Sequence, residues 1–204
     1  MEMPKLVNEE KRRERIAEAV WNIAADQGLE RATIRAVAAE CGLSVGSIQH
    51  SFRTQEELKR FAMELVVQRV TTRLNDAEGL PVRAGDKTAA IAGLLMETLP
   101  LDAEREKEAR IWAAFSTAAL TDEGLGSYSR QMNSALERFC LRCIRELNGP
   151  ESPKEDRDIR LEAMHLHGLL DGLALALLTD PSHARRQETK RIVRNFVEQC
   201  AKTR

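Results

Sequence analysis

Apolar residues recur at helical spacing along most of this 204-residue chain. The pattern predicts two short helices between Thr33 and Phe52 and longer ones over about 9–27, 55–74, 87–98, 104–119, 124–147, 156–178 and 183–201. Ala, Leu, Glu and Arg are abundant, and these residues favour helix. The predicted fold class is therefore all-α.

The most informative segment is T-I-R-A-V-A-A-E-C-G-L-S-V-G-S-I-Q-H-S-F, residues 33–52. Thr33 and Ser44 are suited to cap two short helices, and Gly42 is suited to end the first of them. Val45 and Ile48 are predicted to face inward. The side chains left outward or at the edge of the second helix are Ser47, Gln49, His50 and Ser51.

A short helix that projects small and amide side chains suits the DNA major groove, where amides can hydrogen-bond to base edges. An ordinary helical hairpin is the alternative that these residues alone leave open. The flanks favour DNA binding, because a basic cluster precedes the segment and S-F-R-T-Q-E-E-L continues it into another helix. The basic cluster consists of Lys11, Arg12, Arg13 and Arg15.

With these flanks, residues 12–65 resemble the TetR family of bacterial transcriptional repressors. His50 and Phe52 match the family pattern, whereas relatives usually have aromatic residues at the positions of Gln49 and Ser51 and a lysine at Gln55. The resemblance implies an N-terminal three-helix helix-turn-helix DNA-binding domain and a C-terminal helical bundle for dimerisation and ligand binding. It also implies a repressor that binds a pseudo-palindromic operator as a dimer and is released by a small-molecule effector.

Two glycines and a proline between Asn75 and Asp86 mark a break in the helical pattern. We therefore predict an N-terminal arm with the DNA-binding domain over 1–54, a connecting helix over 55–74, and an effector-binding and dimerisation domain over 75–204. Residues 1–8 are expected to be disordered in the free protein. They form either an arm that carries Lys5 towards DNA or a solvated tail.

Position within the helix-turn-helix assigns a candidate role to each residue. Hydroxyl or charged groups near helix starts are candidates for phosphate contact: Thr33, Arg35, Ser44 and Arg53. The candidates for base edges are Ser47, Gln49 and His50, and Val45 and Gly46 complete the predicted DNA-binding set. Loss of basic residues from the first helix is expected to flatten the salt dependence of binding.

The last two helices carry features of a dimer interface. Gly168, Gly172 and Ala176 recur every four residues, which makes a flat strip that another backbone can approach. The final helix offers Ile192, Val193, Phe196, Val197 and Cys200. A helix pair from each of two subunits would form a two-fold interface, and burial of both faces within one chain is the alternative. The resemblance favours the homodimer.

Several residues of the second half are candidates for an effector pocket, although at helical spacing they also suit plain core. The apolar candidates are Met96, Trp112, Phe115, Met132 and Phe139. His167 and Asp171 lie four residues apart and can bond to each other. We interpret them as a buried structural pair or as polar groups of the same pocket.

A second class of function remains open on these residues. His165, His167 and Asp171 would form the site of a helical ligand-binding module or enzyme without DNA function. A helical adaptor for another protein is a third possibility. No catalytic residue, metal site or cofactor is predicted, because the chain contains no phosphate-binding glycine loop and no G-x-S-x-G or H-E-x-x-H motif.

Composition excludes several classes of protein. The net charge is −1, so the chain is not a generally basic protein that coats nucleic acid. The four cysteines are too few for a disulfide framework, and Cys140-x-x-Cys143 lacks the second pair that a zinc ribbon needs. The N-terminus lacks an apolar signal segment, and no uninterrupted apolar run reaches membrane length. We predict a cytoplasmic protein without a membrane partner.

Overall fold

The computed structural model describes residues 3–78, 87–149 and 154–202. Within these ranges the regular structure is entirely helical, as predicted. The helices are α1 (Met3–Gln27), α2 (Ile34–Glu40), α3 (Val45–Ser51), α4 (Gln55–Glu78), α5 (Lys87–Met96), α6 (Ala103–Ala118), α7 (Glu123–Asn148), α8 (Asp156–Thr179) and α9 (His183–Lys202), with a 3₁₀ turn at Leu29–Arg31.

The predicted helices agree with these bounds to within a few residues, except at two ends. Helix α1 begins at Met3, so the expectation of a disordered segment up to residue 8 is wrong for residues 3–8. Pro4 lies in the first helical turn, where a backbone N–H would have no partner within the helix, so the missing N–H of proline costs no hydrogen bond. Helix α4 continues to Glu78, and the rest of the predicted break, residues 79–86, lies outside the described residues.

The chain divides into two compact units that do not coincide with the linear ranges 1–54, 55–74 and 75–204. The first unit comprises Met1–Arg69 and Arg110–Ser129, and the second comprises Val70–Ala109 and Arg130–Arg204. The difference arises because the end of α6 and the start of α7 pack within the first unit. The assignment of functions to the linear ranges stays a prediction.

Trp21 belongs to the first unit and is almost completely buried. Its indole Nε1 donates a 2.9 Å hydrogen bond to the backbone carbonyl of Ala62, which joins α1 to α4. The Arg69 guanidinium lies 4.5 Å from the centre of the indole ring. Around it, α1, α2, α3 and α4 bury Ile16, Val20, Val37, Ile48, Phe52, Leu58 and Met63.

The second unit has its own apolar core, to which α5, α7, α8 and α9 contribute. Helix α8 is long and apolar enough to cross a membrane by length and composition alone. Its inner stripe explains much of this apolarity, because it packs in the core of the second unit. The buried residues of that stripe are Ala163, Leu166, Leu170, Leu173 and Leu177.

Candidate nucleic-acid interface

The predicted helix–turn–helix between Thr33 and Phe52 is present in the structure. The Thr33 hydroxyl oxygen accepts a 3.1 Å hydrogen bond from the Ala36 N–H, and Ser44 accepts one of 3.1 Å from Ser47. Each hydroxyl therefore satisfies one backbone donor at the start of its helix.

The turn between α2 and α3 depends on Gly42, whose φ is +62°. The Leu43 N–H donates to the Ala38 carbonyl at 2.9 Å, and the Gly42 N–H donates to Ala39 at 3.2 Å. This pair of bonds is a Schellman motif, in which a glycine in the left-handed region ends the helix and its last carbonyls are satisfied.

Helix α3 is anchored to the first unit on one side. Ile48 and the C-cap residue Phe52 are fully buried. Val45 is 39% exposed, so the prediction that it faces inward is wrong. Side chains point towards the N-terminus of their helix, and that of a first-turn residue can extend past the helix end. This exposure agrees with the place of Val45 in the predicted DNA-binding set.

Most of the predicted DNA-contacting side chains are accessible. The exposed members are Arg35, Ser44, Val45, Gly46, Gln49, His50 and Arg53, whereas Thr33 and Ser47 are half-buried. An additional Cβ at Gly46 would meet nothing within 4 Å. The surface of α3 therefore offers Gln49 and His50 beside a position that has no side chain.

Arg53 is positioned by the start of α4. Its N–H donates a 2.8 Å hydrogen bond to the Glu57 carboxylate, and the Glu57 N–H donates to the Thr54 hydroxyl at 3.0 Å. Thr54 thus caps the start of α4, and the Glu57 carboxylate accepts the N–H of the residue before the cap, one position earlier than in a regular capping box. The two bonds hold the backbone of Arg53 beside the end of α3 and leave its side chain exposed.

The basic cluster on α1 makes contacts that the sequence analysis missed. The Arg12 guanidinium donates to the Ser51 hydroxyl at 2.7 Å, and Arg15 donates to the Cys41 carbonyl at 2.7 Å. Arg13 lies over two aromatic rings, those of Phe52 and Phe61. No pattern along the chain pairs Arg12 with Ser51, because the partners are 39 residues apart.

The predicted pocket residues are divided between the two units. Trp112 and Phe115 belong to the first unit, whereas Met96, Met132, Phe139, His167 and Asp171 belong to the second. Phe139 is part of the buried apolar core of its unit, in agreement with the plain-core alternative. The effector pocket stays a prediction.

Tyr128 is a further aromatic residue of the first unit that the sequence analysis did not single out. Its ring meets that of Phe115 edge-on, with 5.7 Å between centroids. Burial, and then the nearby Glu64 carboxylate, raise the pKa of Tyr128 to about 12. The phenol is therefore neutral at physiological pH and available as a hydrogen-bond donor.

His167 and Asp171 lie together but do not form the buried pair that was predicted. Their Nε2 and Oδ2 atoms are 3.4 Å apart, and the Asp171 side chain is 57% exposed. His165 is exposed as well. Among the described residues no group of three His, Cys, Asp or Glu side chains can hold a metal ion.

The four cysteines all lie among the described residues, where each is buried and none forms a disulfide bond. Burial raises the pKa of Cys140 to about 12 and that of Cys200 to about 11. A reactive thiol pair needs a lowered pKa and access to solvent. Cys140 and Cys143 instead lie in the apolar core of the second unit, which favours a structural role.

Comparison with known proteins identifies the family. Residues 16–60 match the profile of the bacterial regulatory proteins of the tetR family, and residues 87–202 match that of the BetI-type transcriptional repressor C-terminal domain. The HTH-type transcriptional regulator PksA of Bacillus subtilis is 35% identical over 197 residues, which is 96% of this chain and 93% of PksA.

Solved structures agree with these matches. A transcriptional regulator from Rhodococcus sp. Rha1 is 28% identical with a TM-score of 0.77, over 92% of this chain and 95% of that one. A transcriptional regulator from Saccharomonospora viridis, solved in complex with choline, has a TM-score of 0.77 at 20% identity, over 93% and 96% of the two chains; this second likeness concerns the fold. Both halves of the sequence, and the helix-turn-helix with its exposed α3, thus lead to one conclusion: the chain belongs to the TetR family of bacterial transcriptional regulators and is a DNA-binding regulator, not an enzyme.

Proposed function

We propose that the protein represses transcription in the cytoplasm by binding a pseudo-palindromic operator as a homodimer, and that a small-molecule effector releases it. The observation that carries this proposal is the presentation of α3. Ile48 and Phe52 anchor the helix in the core, while Gln49 and His50 remain exposed on its other side. A helix held in this way is suited to enter a major groove.

Gln49, His50 and Ser47 are the side chains that we assign to base edges. Thr33, Ser44, Arg35 and Arg53 are assigned to phosphates. The Thr33 and Ser44 hydroxyl oxygens already accept N–H bonds within their helices. Their hydroxyl hydrogens can still be donated to phosphate oxygens, because a hydroxyl group is both an acceptor and a donor.

The outer face of α8 supports assembly as a homodimer. It exposes Met164 (66%), Leu175 (60%) and Leu161 (43%), although these side chains are large and apolar. A Cβ added at Gly168 or Gly172 would meet nothing within 4 Å. An exposed apolar strip of this kind marks an interaction site. A second copy of the same helix, crossing at the glycines, would cover it with two-fold symmetry.

For the effector we propose a small organic molecule, and choline is the first probe to test. The choice is supported by the choline complex of the Saccharomonospora viridis protein, whose fold this chain shares. Trp112 and Phe115 are two of the three aromatic members of the predicted pocket, and aromatic faces attract quaternary ammonium groups. An effector acts only if its affinity differs between the DNA-binding form and the released form.

The test is a fluorescence-anisotropy titration against duplexes that tile the DNA flanking the protein's own coding region. We expect one duplex to bind two chains per operator, far more tightly than a scrambled duplex of equal length. Choline is then added to the complex, and release at concentrations that leave an unrelated repressor bound would support the effector assignment. Equal affinity for operator and scrambled duplexes would contradict the operator proposal.

The alternative of a ligand-binding module or enzyme around His165, His167 and Asp171 makes a different prediction. Under our proposal, His167→Ala leaves the operator affinity of the free protein unchanged, because the residue belongs to the second unit. Sequence-specific DNA binding by the wild type would leave this alternative without support.

A further inference from the structure

Three arginines within one turn of α1 contact different points of the helix-turn-helix. Arg15 Nη2 donates to the backbone carbonyl of Cys41 at 2.7 Å, where α2 ends. The last carbonyls of a helix lack intrahelical partners and carry partial negative charge, so a cation is favourable there. Arg15 thus fixes the end of α2 to α1.

The second contact lies at the junction of α3 and α4. The Arg13 guanidinium carbon is 4.8 Å from the ring centre of Phe52 and 4.4 Å from that of Phe61. The two rings are themselves 5.1 Å apart. Phe52 is the residue that ends α3 and Phe61 lies on α4, so the stacked cation connects α1 with both helices.

The third contact is with α3 itself. Arg12 Nη2 donates a 2.7 Å hydrogen bond to the hydroxyl oxygen of Ser51, the last residue of the helix. Ile48 and Phe52 anchor α3 on the core side. A bond from Arg12 to Ser51 adds a second constraint, because it opposes rotation of α3 about its own axis.

We propose that Arg12, Arg13 and Arg15 are positioning residues, which set the orientation of α3 through Ser51, Phe52 and Cys41 and do not serve as phosphate contacts. This inference rests on the proposed operator binding and replaces the expectation that the whole basic cluster acts through its charge. The phosphate-binding charge then comes from residues outside α1, such as Arg35 and Arg53. Arg15 is itself exposed, and its assignment as a positioning residue rests on its bond to the Cys41 carbonyl.

The test measures operator affinity at several salt concentrations for Arg12→Gln, Ser51→Ala and the double variant. We expect each single change to weaken operator binding about five- to tenfold. The double variant should bind no more weakly than Arg12→Gln alone, because the two changes remove the same hydrogen bond. The slope of log affinity against log salt should stay at the wild-type value. Affinity for a scrambled duplex should fall less than affinity for the operator.

Three further variants serve as controls. Lys11→Gln removes the same charge from an exposed neighbouring position of α1. Ser51→Thr keeps the hydroxyl and should retain the wild-type affinity, which separates the bond from general damage to α3. Arg35→Gln should reduce the salt slope by about one, as expected for a lost phosphate contact. Thermal unfolding of each variant identifies any change that prevents folding. If Arg12→Gln does not fold, the comparison of Ser51→Ala with Ser51→Thr tests the proposal.

Two results would overturn the proposal. One is a salt slope reduced by about one in Arg12→Gln together with wild-type affinity in Ser51→Ala, since Arg12 would then contact a phosphate. The other is additivity of the two losses in the double variant. A failure of operator binding as such would be visible in the wild type, whereas a failure of the positioning role is visible only among these variants.

Discussion

Both terminal nitrogens of the Arg73 guanidinium donate hydrogen bonds to the carboxylate of Glu108, with lengths of 3.1 and 2.7 Å. The Glu108 side chain is only 6% exposed, and that of Arg73 is 25% exposed. The side-chain hydrogen bonds that Arg73 donates to Glu108 raise the pKa of Arg73, so its guanidinium stays charged at physiological pH. The same guanidinium donates to the backbone carbonyl of Glu97 at 3.3 Å, and the pair thereby joins α4 and α6 to the chain that follows α5.

We predict that Glu108→Ala lowers the free energy of unfolding by about 1–3 kcal/mol, because the partly buried guanidinium loses its two hydrogen bonds to a carboxylate and keeps only the 3.4 Å contact with the Glu97 carboxylate. The double variant Arg73→Met/Glu108→Leu should recover most of this loss, since it removes both charges. Urea unfolding followed by circular dichroism measures both values. A loss below about 1 kcal/mol for Glu108→Ala would show that the pair behaves like a surface ion pair.

A substitution at Gly46 should have opposite effects on the stability of the protein and on its binding to DNA. Alanine at this position would meet no atom of the described chain within 4 Å and has the higher helix propensity. Gly46→Ala should therefore raise the free energy of unfolding by about 0.5–1 kcal/mol and should weaken operator binding, because the methyl group stands between α3 and the groove. Calorimetry and anisotropy on the same preparation test the two effects. Unchanged operator affinity would place Gly46 away from the DNA.

Gln49→Ala should lose about 1–3 kcal/mol of discrimination at one base pair if the amide contacts adenine. The side chain is exposed, so the stability of the free protein should not change. Competition binding against operators that carry every single-base substitution identifies the position. Equal weakening on all sequences would instead assign Gln49 to the DNA backbone.

The dimer proposal predicts that Leu175→Glu produces a monomer at micromolar concentration, because it places like charges in the apolar strip of α8. The exposed position Gln131 on α7 offers a control, since Gln131→Glu also adds one negative charge. Light scattering coupled to size-exclusion chromatography gives the mass of each variant. A wild-type monomer, or a Leu175→Glu dimer as stable as the wild type, would contradict the assignment of α8 to the interface.

The thiols should be inert in the folded protein. Burial raises the pKa of Cys140 to about 12 and that of Cys200 to about 11. At pH 8 both thiols are therefore protonated as well as inaccessible. A disulfide reagent such as Ellman's should react with all four cysteines in denaturant and with almost none of them in minutes under native conditions. Rapid reaction of Cys140 or Cys143 under native conditions would contradict this prediction and would support a functional role for the two thiols.

The sequence by itself determined the helices, their caps and the fold class. Thr33, Ser44 and Gly42 act on backbone groups at most a few residues away, and the helical spacing of apolar residues is a local property. For this reason the bounds of α2, α3 and α5 to α9 could be predicted to within a few residues. The candidate base-reading residues followed from the same local pattern.

Only the tertiary structure decided what the basic residues of α1 contact and which faces of the helices remain open. The partner of Arg12 is 39 residues away and that of Arg73 is 35 residues away, and no local period encodes such pairs. Exposure of Val45 and Asp171 likewise depends on what surrounds each helix end and each helix face. Local spacing specifies which residues share a face, whereas the packing of distant segments determines which face is covered.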